Sequence, residues 1–511
     1  MKRAIPVAIV DAVAREAGGA PVERHETHGS WVFVVGDRAL KVKKPVVLPF
    51  LDYGTLERRR AMCREEVRLN RPLAADLYRG TMSVIAREHG GVDLDPDDEA
   101  PGAVEVAVDM RRYDDGDTLA QRLRAGAATP AQLRAVGARL AAFHAGEPRP
   151  HEAQHAFAAL RAAVRTTLDD LEVEAAGVVD AGQVSGLRGL MEAALAARRV
   201  ELIDRGRRGL VVDGHGDLRA EHVLLTDPVE IVDALEFDPA LRIADVACDL
   251  GFLVMDLEGA GAEELAAALV EGYRVAGGDP GDRELLATMA CYRALVRAKV
   301  DLVRAGHGRE RARERLAQAL RLGWRARGPK VIAVCGPPAS GKSTLARELC
   351  AQSAMAHISS DVVRKARIEL APTDRAPAAA YEHEATLATY RELGEHAAAA
   401  LAAGHGAVVD ATLGEPAARD ALRAGLGDQA AAQLRCVECR VPAAEAARRA
   451  RERERDAVRE SDATAEIAAR LATGWVALDE VPADRHLVVR SDRPPPDVVL
   501  DVAAWLDRRW A

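Results

Sequence analysis

The sequence predicts a mixed fold in two parts, an α+β part followed by an α/β part with a parallel sheet flanked by helices. Strand-like segments joined by short turns concentrate before residue 110. Helical periodicity dominates from residue 118 to 327. Short apolar strands then alternate with helices, which is the pattern of a parallel sheet.

The composition is that of a globular protein with substantial cores. The chain has 511 residues, 49% of them hydrophobic and 29% charged, which favours two or three domains. A net charge of −9 and an aromatic content of 4% disfavour a nucleic-acid partner. No apolar run is long enough to span a bilayer, which excludes a membrane partner, and seven scattered cysteines favour a reducing cytoplasm. The oligomeric state is left open.

The first part begins with a helix and a hairpin. Gly36 and Asp37 form the two-residue turn that is typical of hairpins. Residues 93–102 are interpreted as an acidic turn. The predicted elements are a helix over 1–20, strands over 31–35 and 39–43, a helix over 56–75, and strands over 80–87 and 103–109.

Helices dominate the middle of the chain. Periodicity predicts helices within 118–145, 152–206 and onward to 327, interrupted by short strands over 209–212, 223–225 and 231–232. Gly323, Gly328 and Pro329 then break the helical pattern. We therefore predict two domains, residues 1–327 and 328–511.

A strand over 331–335 leads into the strongest motif of the chain. Gly336, Gly341, Lys342 and Ser343 match the spacing G-x-x-x-x-G-K-[ST], which random sequence rarely produces. Its backbone amides and the following helix would cradle a triphosphate, with Lys342 on the β- and γ-phosphates and Ser343 on Mg²⁺. The predicted ATP-binding residues here are Gly336, Pro337, Pro338, Ala339, Ser340, Gly341, Lys342, Ser343 and Thr344.

Two further strands end in aspartate. Asp361, with Arg364 three residues on, resembles the D-x-x-R of small-molecule P-loop kinases, where the carboxylate orients the acceptor hydroxyl and the arginine holds a substrate anion. Asp410 has the Walker B form and would hold Mg²⁺ through water. Simple capping of the helix that follows is the alternative for both aspartates.

An arginine-rich helix follows later in the chain. Arg448, Arg451 and Arg455 share one face and resemble the lid that closes over the phosphates in nucleotide and sugar kinases. Interleaved glutamates leave a solvated, salt-bridged face as the alternative. Cys436 and Cys439 form one C-x-x-C on a predicted strand, and without a second pair a metal or redox role is disfavoured.

Motifs in the first part resemble the aminoglycoside phosphotransferase family. The run His215-Gly-Asp217-Leu-Arg-Ala-Glu-His222 resembles its catalytic loop, Ile231-Val-Asp233 its metal-binding strand, and Asp245-Val-Ala-Cys-Asp249 the segment that braces the loop. The whole chain resembles bacterial proteins that join such a domain to a zeta-toxin-like or gluconate-kinase-like P-loop domain. The resemblance implies a bilobal protein-kinase-like fold followed by a P-loop NTPase fold.

The resemblance also implies roles. Asp217 would be the catalytic base, Asp233 a Mg²⁺ ligand, and Lys41, held by Glu66, would contact the ATP phosphates. Lys43 has the strand phase of Lys41 and Glu65 adjoins Glu66, so both choices stay open. Residues 110–113 would form the hinge beside the adenine.

His222 stands where the family pattern has asparagine. A ring nitrogen is a poorer partner for Mg²⁺ than an amide oxygen. Either His222 still serves as a weaker metal ligand, or one metal suffices, or Glu221 replaces it, or this domain is catalytically weakened.

The resulting hypothesis is a bifunctional kinase. Each domain would bind ATP and Mg²⁺ and phosphorylate a small hydroxylated acceptor that resembles a sugar or an antibiotic. The alternative is a regulatory or toxin-like module in which one domain hydrolyses or senses ATP and gates the other.

Overall fold

The computed structural model describes residues 5–27, 29–48, 51–303, 308–328, 330–371, 373–454, 466 and 473–508. Close packing divides the chain into two compact units, the first of Met1–Val164 and Arg199–Asp282, the second of Arg165–Arg198 and Arg283–Ala511. The domain boundary predicted between residues 327 and 328 falls inside the second unit. The division into domains 1–327 and 328–511 stays a prediction.

The first unit opens with strands and two helices. Its elements up to residue 111 are α1 (Ile5–Glu16), β1 (Glu23–Glu26), β2 (Ser30–Val35), β3 (Arg38–Lys43), β4 (Val47–Leu48), β5 (Leu51–Asp52), α2 (Leu56–Asn70), β6 (Tyr78–Ala86), β7 (Val92–Asp95) and β8 (Ala103–Arg111). Thr55 caps α2 by accepting a hydrogen bond from the amide of Arg58, so this helix begins where the sequence offers a capping hydroxyl.

These strands form an antiparallel six-stranded sheet in the order β1-β2-β3-β8-β6-β7. The pair Val35 and Arg38 closes the hairpin across Gly36 and Asp37, as predicted. The acidic turn predicted over 93–102 is partly wrong, because residues 92–95 form β7, which pairs with β6. The sheet places Lys41 and Lys43 on β3 next to the central strand β8.

Helices and two short strand pairs complete the region up to residue 303. They are α3 (Leu119–Arg124), α4 (Pro130–Gly146), α5 (Ala153–Glu174), α6 (Ala181–Ala197), α7 (Arg199–Arg205), β9 (Val211–Asp213), β10 (Val223–Leu224), β11 (Glu230–Ile231), α8 (Pro239–Arg242), β12 (Ile243–Asp245), α9 (Val246–Gly259), α10 (Glu263–Val275) and α11 (Arg283–Val303). Strand β9 pairs with β12, and β10 with β11. These short pairs hold the loops that follow β9 and β11.

The second unit contains a parallel sheet. Its remaining elements are α12 (Gly308–Ala326), β13 (Val331–Cys335), α13 (Lys342–Ser353), β14 (Ala356–Ser359), α14 (Ser360–Ala366), α15 (His383–Ala402), β15 (Ala407–Asp410), α16 (Pro416–Ala431), β16 (Leu434–Arg440), α17 (Ala443–Glu454), β17 (His486–Arg490) and α18 (Pro495–Asp507). All five strands are parallel, in the order β14-β15-β13-β16-β17. The predicted α/β and α+β fold class is thereby confirmed.

Apolar cores cover both faces of this parallel sheet. Val331 and Ala333 point into one core, and Ile332 and Val334 point into the other. Cys436 and Cys439, three residues apart on β16, also lie in different cores. Because a strand alternates its faces, these two thiols cannot bind one metal ion or form a disulfide.

Among the described residues, no helix combines the length and the apolar composition that crossing a bilayer requires.

Candidate active sites

In the first unit, two lysines of β3 share the carboxylate of Glu66. Nζ of Lys41 lies 2.8 Å from Oε1 of Glu66, and Nζ of Lys43 lies 2.8 Å from Oε2. Both lysines point to one side of β3 because they are two residues apart. Glu65, on the next position of α2, turns away to pair with Arg242 at 2.8 Å. The structure therefore brings Glu66, and not Glu65, to the lysines.

Lys41 also contacts the aspartate that follows β11. Its Nζ lies 2.6 Å from Oδ1 of Asp233. Asp233 has a left-handed backbone, with φ of 65°. Two hydrogen bonds hold this conformation: the Tyr78 hydroxyl accepts from the amide of Asp233, and Oδ1 of Asn70 accepts from the amide of Ala234. Such a backbone costs about 1–3 kcal/mol and is found mostly where a side chain must be aimed.

Charge pairing dominates the titration of Asp233. The Lys41 ammonium holds the pKa of this carboxyl well below its usual range, against the opposing effect of burial. The pKa of Tyr113 is raised by burial and, to a lesser degree, by the charge of Asp233. Tyr113 and Met110, at two ends of the predicted hinge, pack in one cluster with Val232. Residues 110 and 113, where the hinge is predicted, therefore pack beside Val232, which precedes the Asp233 that contacts Lys41.

Lys43 has two further partners that the sequence analysis did not assign. Its ammonium contacts the carboxylate of Glu236 and lies 3.4 Å from the hydroxyl of Tyr53, which donates to Glu236 over 2.5 Å. Burial disfavours both charges, but pairing outweighs it: the pKa of Lys43 is raised and that of Glu236 is lowered. The only sequence signal was the position of Glu236, three residues after Asp233.

Asp249 fixes the loop that carries Asp217. Its Oδ2 accepts from the amide of His215 over 2.6 Å, and its Oδ1 accepts from the amide of Gly216 over 2.9 Å. A Cβ on Gly214 would lie 2.4 Å from Oδ2 of Asp249, so only glycine permits this approach. The structure thus shows the loop brace that the resemblance implied.

Two histidines connect this loop to Asp233. Nε2 of His215 donates to the carbonyl of Val232 over 2.9 Å, and burial lowers the pKa of His215. Nδ1 of His222 lies 2.8 Å from the carbonyl oxygen of Asp217, and its Nε2 lies 3.8 Å from Oδ2 of Asp233. The structure therefore brings Asp217, His222 and Asp233 together.

In the second unit, the loop between β13 and α13 has the shape that binds phosphate. Ala339 and Gly341 both have left-handed backbones, with φ of 66° and 89°, on either side of Ser340. Alternation of this kind turns successive amides toward one concavity. Gly336 has φ of 143°, and a Cβ there would lie 2.7 Å from the carbonyl oxygen of Cys439. Pro337 and Pro338 occupy the interior of this loop.

The first turn of α13 supplies the charged groups of this site. Lys342 and Ser343 are half-buried, whereas Thr344 is exposed. Asp410 is only 4% exposed at the end of β15, and its Oδ1 has no hydrogen-bond partner among the described residues. Burial raises the pKa of Asp410, but His357, Lys342 and Ser343 together lower it below the usual value.

This arrangement fits a magnesium ion. A buried carboxylate oxygen without a partner is costly unless a cation or a water molecule meets it. Ser343 and Asp410 are oxygen donors, which Mg²⁺ prefers, and they lie at the same end of the sheet. Among the described residues, no three histidine, cysteine or carboxylate side chains gather as a metal site. Phosphate and water oxygens would therefore complete the coordination.

Asp361 and Arg364 lie together on α14. Nη1 of Arg364 is 3.3 Å from Oδ1 of Asp361. The Arg364 guanidinium donates to the carbonyl of Ala380 and stacks 4.5 Å from the ring centre of Tyr381. Arg364 is only 6% exposed, so the protein itself holds much of this guanidinium.

The arginine helix α17 approaches the phosphate loop through a residue that the sequence analysis passed over. Ala450 packs on Ala339, and a Cβ on Gly341 would lie 3.1 Å from Nη1 of Arg449. Arg449 also donates to the carbonyl of Ser491 over 3.1 Å.

The arginines that the sequence predicts for the lid have surroundings that differ from those of Arg449. Arg448 forms ion pairs with Glu445 and Glu452 on its own helix, and Arg451 is exposed. Arg455 lies outside the described residues. The lid role of Arg448 and Arg451 stays a prediction. Of the three described arginines at positions 448, 449 and 451, Arg449 lies nearest to Gly341.

Residues 331–473 match the family model AAA_33, described as an AAA domain. This match and the loop geometry identify a P-loop ATP-binding domain at the C-terminal end of the chain. The match begins at the first residue of β13, directly before the phosphate loop.

Solved structures that match parts of this chain include several kinases. A choline/ethanolamine kinase family protein from Mesorhizobium loti is 18% identical and covers 63% of this chain and 95% of its own, with a TM-score of 0.39. A spectinomycin phosphotransferase in complex with ADP and spectinomycin is 11% identical and covers 60% and 94%, with a TM-score of 0.35. A gluconokinase from Sinorhizobium meliloti is 18% identical and covers 35% and 93%, with a TM-score of 0.26.

Relatives of nearly full length occur in mycobacteria. The uncharacterized proteins Rv2004c of Mycobacterium tuberculosis and Mb2027c of Mycobacterium bovis are each 33% identical over 464 residues, which cover 88% of this chain and 89% of the relative. Their similarity therefore spans both compact units. The chain belongs to the same family as Rv2004c.

Proposed function

We propose that the chain is a bifunctional ATP-dependent phosphotransferase that transfers the γ-phosphate of ATP to a hydroxyl of a small acceptor resembling a sugar or an antibiotic. The observation that carries this proposal is that a lysine and an aspartate meet in each unit: Lys41 with Asp233 at 2.6 Å, and Lys342 close enough to Asp410 to lower its pKa. Phosphoryl transfer depends on this combination of positive charge and metal-binding carboxylate.

In the first unit, Lys41 would neutralise the ATP phosphates while Glu66 fixes its position. Asp233, with His222, would hold the metal ion. Asp217 would accept the proton of the acceptor hydroxyl, since it lies on the braced loop with its side chain partly open to solvent. The brace from Asp249 supports this role because a base must hold its position through the reaction.

In the second unit, the amides of residues 336–344 would hold the triphosphate at the start of α13. Lys342 would contact the β- and γ-phosphates, and Ser343 and Asp410 would hold Mg²⁺, which neutralises charge on the phosphates. Asp361 would orient the acceptor hydroxyl. Arg364, which Asp361 and Tyr381 hold in place, would contact an anionic group of the acceptor.

The helix α17 would close over this second site. Arg449 would stabilise the phosphate charge directly, with Arg448 and Arg451 approaching on closure. Closure of this kind excludes water, so the γ-phosphoryl group passes to the acceptor hydroxyl, with ADP as the leaving group, and not to water.

Transfer of labelled γ-phosphate to compounds in a cell extract tests the proposal. The full chain should label at least one acceptor, and Asp217→Asn or Asp361→Asn should remove one class of products by about 10²–10⁴-fold. Asp76→Asn, at an exposed carboxylate of the first unit, is the matched control and should retain full activity. If ATP is hydrolysed slowly and equally with or without extract, the gating alternative is supported and the kinase proposal is rejected.

A further inference from the structure

The tautomer of His222 leaves one ring nitrogen directed at Asp233. Nδ1 of His222 lies 2.8 Å from the carbonyl oxygen of Asp217. A carbonyl oxygen only accepts hydrogen bonds, so Nδ1 carries the hydrogen of the neutral ring. The lone pair is therefore on Nε2, which lies 3.8 Å from Oδ2 of Asp233.

Packing holds this ring in place. His222 is 9% exposed, and its ring stacks on that of His215, with the centroids 6.0 Å apart and the planes 27° apart. His215 is itself fixed by its hydrogen bond to the carbonyl of Val232. Rotating the His222 ring would break the bond to Asp217, so Nε2 keeps its direction.

The two oxygens of Asp233 are divided between two neighbours. Oδ1 pairs with Lys41 at 2.6 Å, whereas Oδ2 faces His222. Oε1 of Glu221 also approaches Nε2, at 3.7 Å, but this carboxylate is already neutralised by its ion pair with Arg219. The gap between Nε2 of His222 and Oδ2 of Asp233 thus has a nitrogen donor on one side and an anionic oxygen on the other.

This gap has the width that one metal ion needs. Metal bonds to imidazole nitrogen and carboxylate oxygen are about 2.0–2.2 Å long. Two such bonds span up to about 4.2 Å, so atoms 3.8 Å apart can bind the same ion at an open angle. With two protein donors, phosphate and water oxygens would fill the other positions.

The donor set determines which ion is preferred. Mg²⁺ selects oxygen and dehydrates reluctantly, whereas imidazole suits divalent transition metals. We propose that the first site selects a divalent transition metal ion such as Mn²⁺ or Co²⁺ over Mg²⁺, bound through Nε2 of His222 and Oδ2 of Asp233. The inference rests on the proposed function, because it requires that this unit binds a nucleotide with a metal ion.

Pulsed electron paramagnetic resonance of bound Mn²⁺ tests the inference. The full-length Lys342→Met variant, whose second site should no longer bind nucleotide, is expressed in cells supplied with ¹⁵N-labelled histidine. Mn²⁺ is added with a non-hydrolysable ATP analogue. The isotope distinguishes a histidine nitrogen from the nitrogens of adenine, and we expect a ¹⁵N coupling to the ion.

His222→Asn, which restores the amide of the family pattern, is the matched variant. It should lose the ¹⁵N coupling, and the preference for Mn²⁺ over Mg²⁺ in calorimetry should fall by about tenfold or more. Mn²⁺ bound without a ¹⁵N coupling, or a coupling that persists in His222→Asn, overturns the inference alone. If neither nucleotide nor metal binds to the Lys342→Met chain, the proposed function of the first unit falls with it.

Discussion

Lys43 and Glu66 form an ion pair in which both side chains are almost completely buried, with 2.8 Å between Nζ and Oε2. Removing one member of a buried pair leaves an uncompensated charge, which costs about 3–5 kcal/mol. Lys43→Met should therefore destabilise the first unit by about this amount, because Glu236 would lose the ammonium of Lys43 and Glu66 would keep only that of Lys41. Urea unfolding of the full chain measures the change.

Lys44→Met provides the control for this prediction. Lys44 adjoins β3, but its partner Glu26 is half exposed, and exposed pairs contribute about 0–1 kcal/mol. Equal losses of stability for Lys43→Met and Lys44→Met would contradict the importance of the buried pair. The double variant Lys43→Met with Glu236→Gln should recover part of the loss, since one unpaired carboxylate is removed.

The two adjacent arginines of α17 should differ in their effect on ATP binding. Arg449→Ala should raise the Kd for ATP at the second site by about ten- to a hundredfold, because a charged hydrogen-bonding group next to the loop is lost. Arg448→Ala should change it by about twofold or less, since Arg448 is exposed and both of its ion-pair partners lie on its own helix. Calorimetry with Lys41→Met as the background isolates this site. A larger effect of Arg448→Ala than of Arg449→Ala would instead support the lid role that the sequence predicts for Arg448 and Arg451.

The first glycine of the phosphate loop should tolerate no side chain. Gly336→Ala would place Cβ 2.7 Å from the backbone carbonyl of Cys439, so the loop must shift. We expect loss of nucleotide binding at the second site, with one nucleotide still bound per chain. Gly189→Ala, in α6 of the same unit, meets nothing within 4 Å and should retain both bound nucleotides. Two nucleotides bound per chain of Gly336→Ala would show that nucleotide binding does not require the close contact between Gly336 and the carbonyl of Cys439.

Lys330 should make the stability of the second unit depend on alkaline pH. Burial lowers its pKa from the usual 10.5 to about 8. Between these values the unfolded chain holds a proton that the folded chain has released, so stability rises with pH by at most about 1.4 kcal/mol per unit. Below pH 8 both states hold the proton, and the contribution is constant.

Lys330→Met should remove this dependence. Thermal midpoints of both proteins, measured between pH 7 and 10.5, should diverge above pH 8 because only the native chain gains stability there. The hydrogen bond from Lys330 to the carbonyl of Arg327 is lost in the variant, which adds an offset that does not change with pH. Parallel curves would refute the assigned titration.

Local chemistry made much of the fold predictable. The Gly36-Asp37 turn selects a hairpin whatever surrounds it, and the glycine spacing of residues 336–341 requires a strand before it and a helix after it. Strand β1 was not predicted because the residues of Glu23–Glu26 are all polar and exposed, which leaves no alternation to detect. Its hydrogen bonds to β2, and not its side chains, make it a strand.

The parts of the sites that the sequence missed depend on tertiary packing. The helical stripe Arg448 and Arg451 is regular, but which face of α17 meets the phosphate loop is set by the contact of Ala450 with Ala339. Likewise, Tyr53 and Glu236 lie far apart in sequence, yet they hydrogen-bond to each other and both contact the buried ammonium of Lys43. Periodicity contains no information about such long-range partners.

The separation of Cys436 and Cys439 into two cores has a practical consequence. Burial raises the pKa of Cys436 to about 11 and that of Cys439 to about 12, so both thiols stay protonated near neutral pH. Protonated, enclosed sulfur reacts slowly with maleimides. A fluorophore can therefore be attached to an introduced surface cysteine without first removing these two thiols, whereas Cys350, which is partly exposed, is the native cysteine to replace.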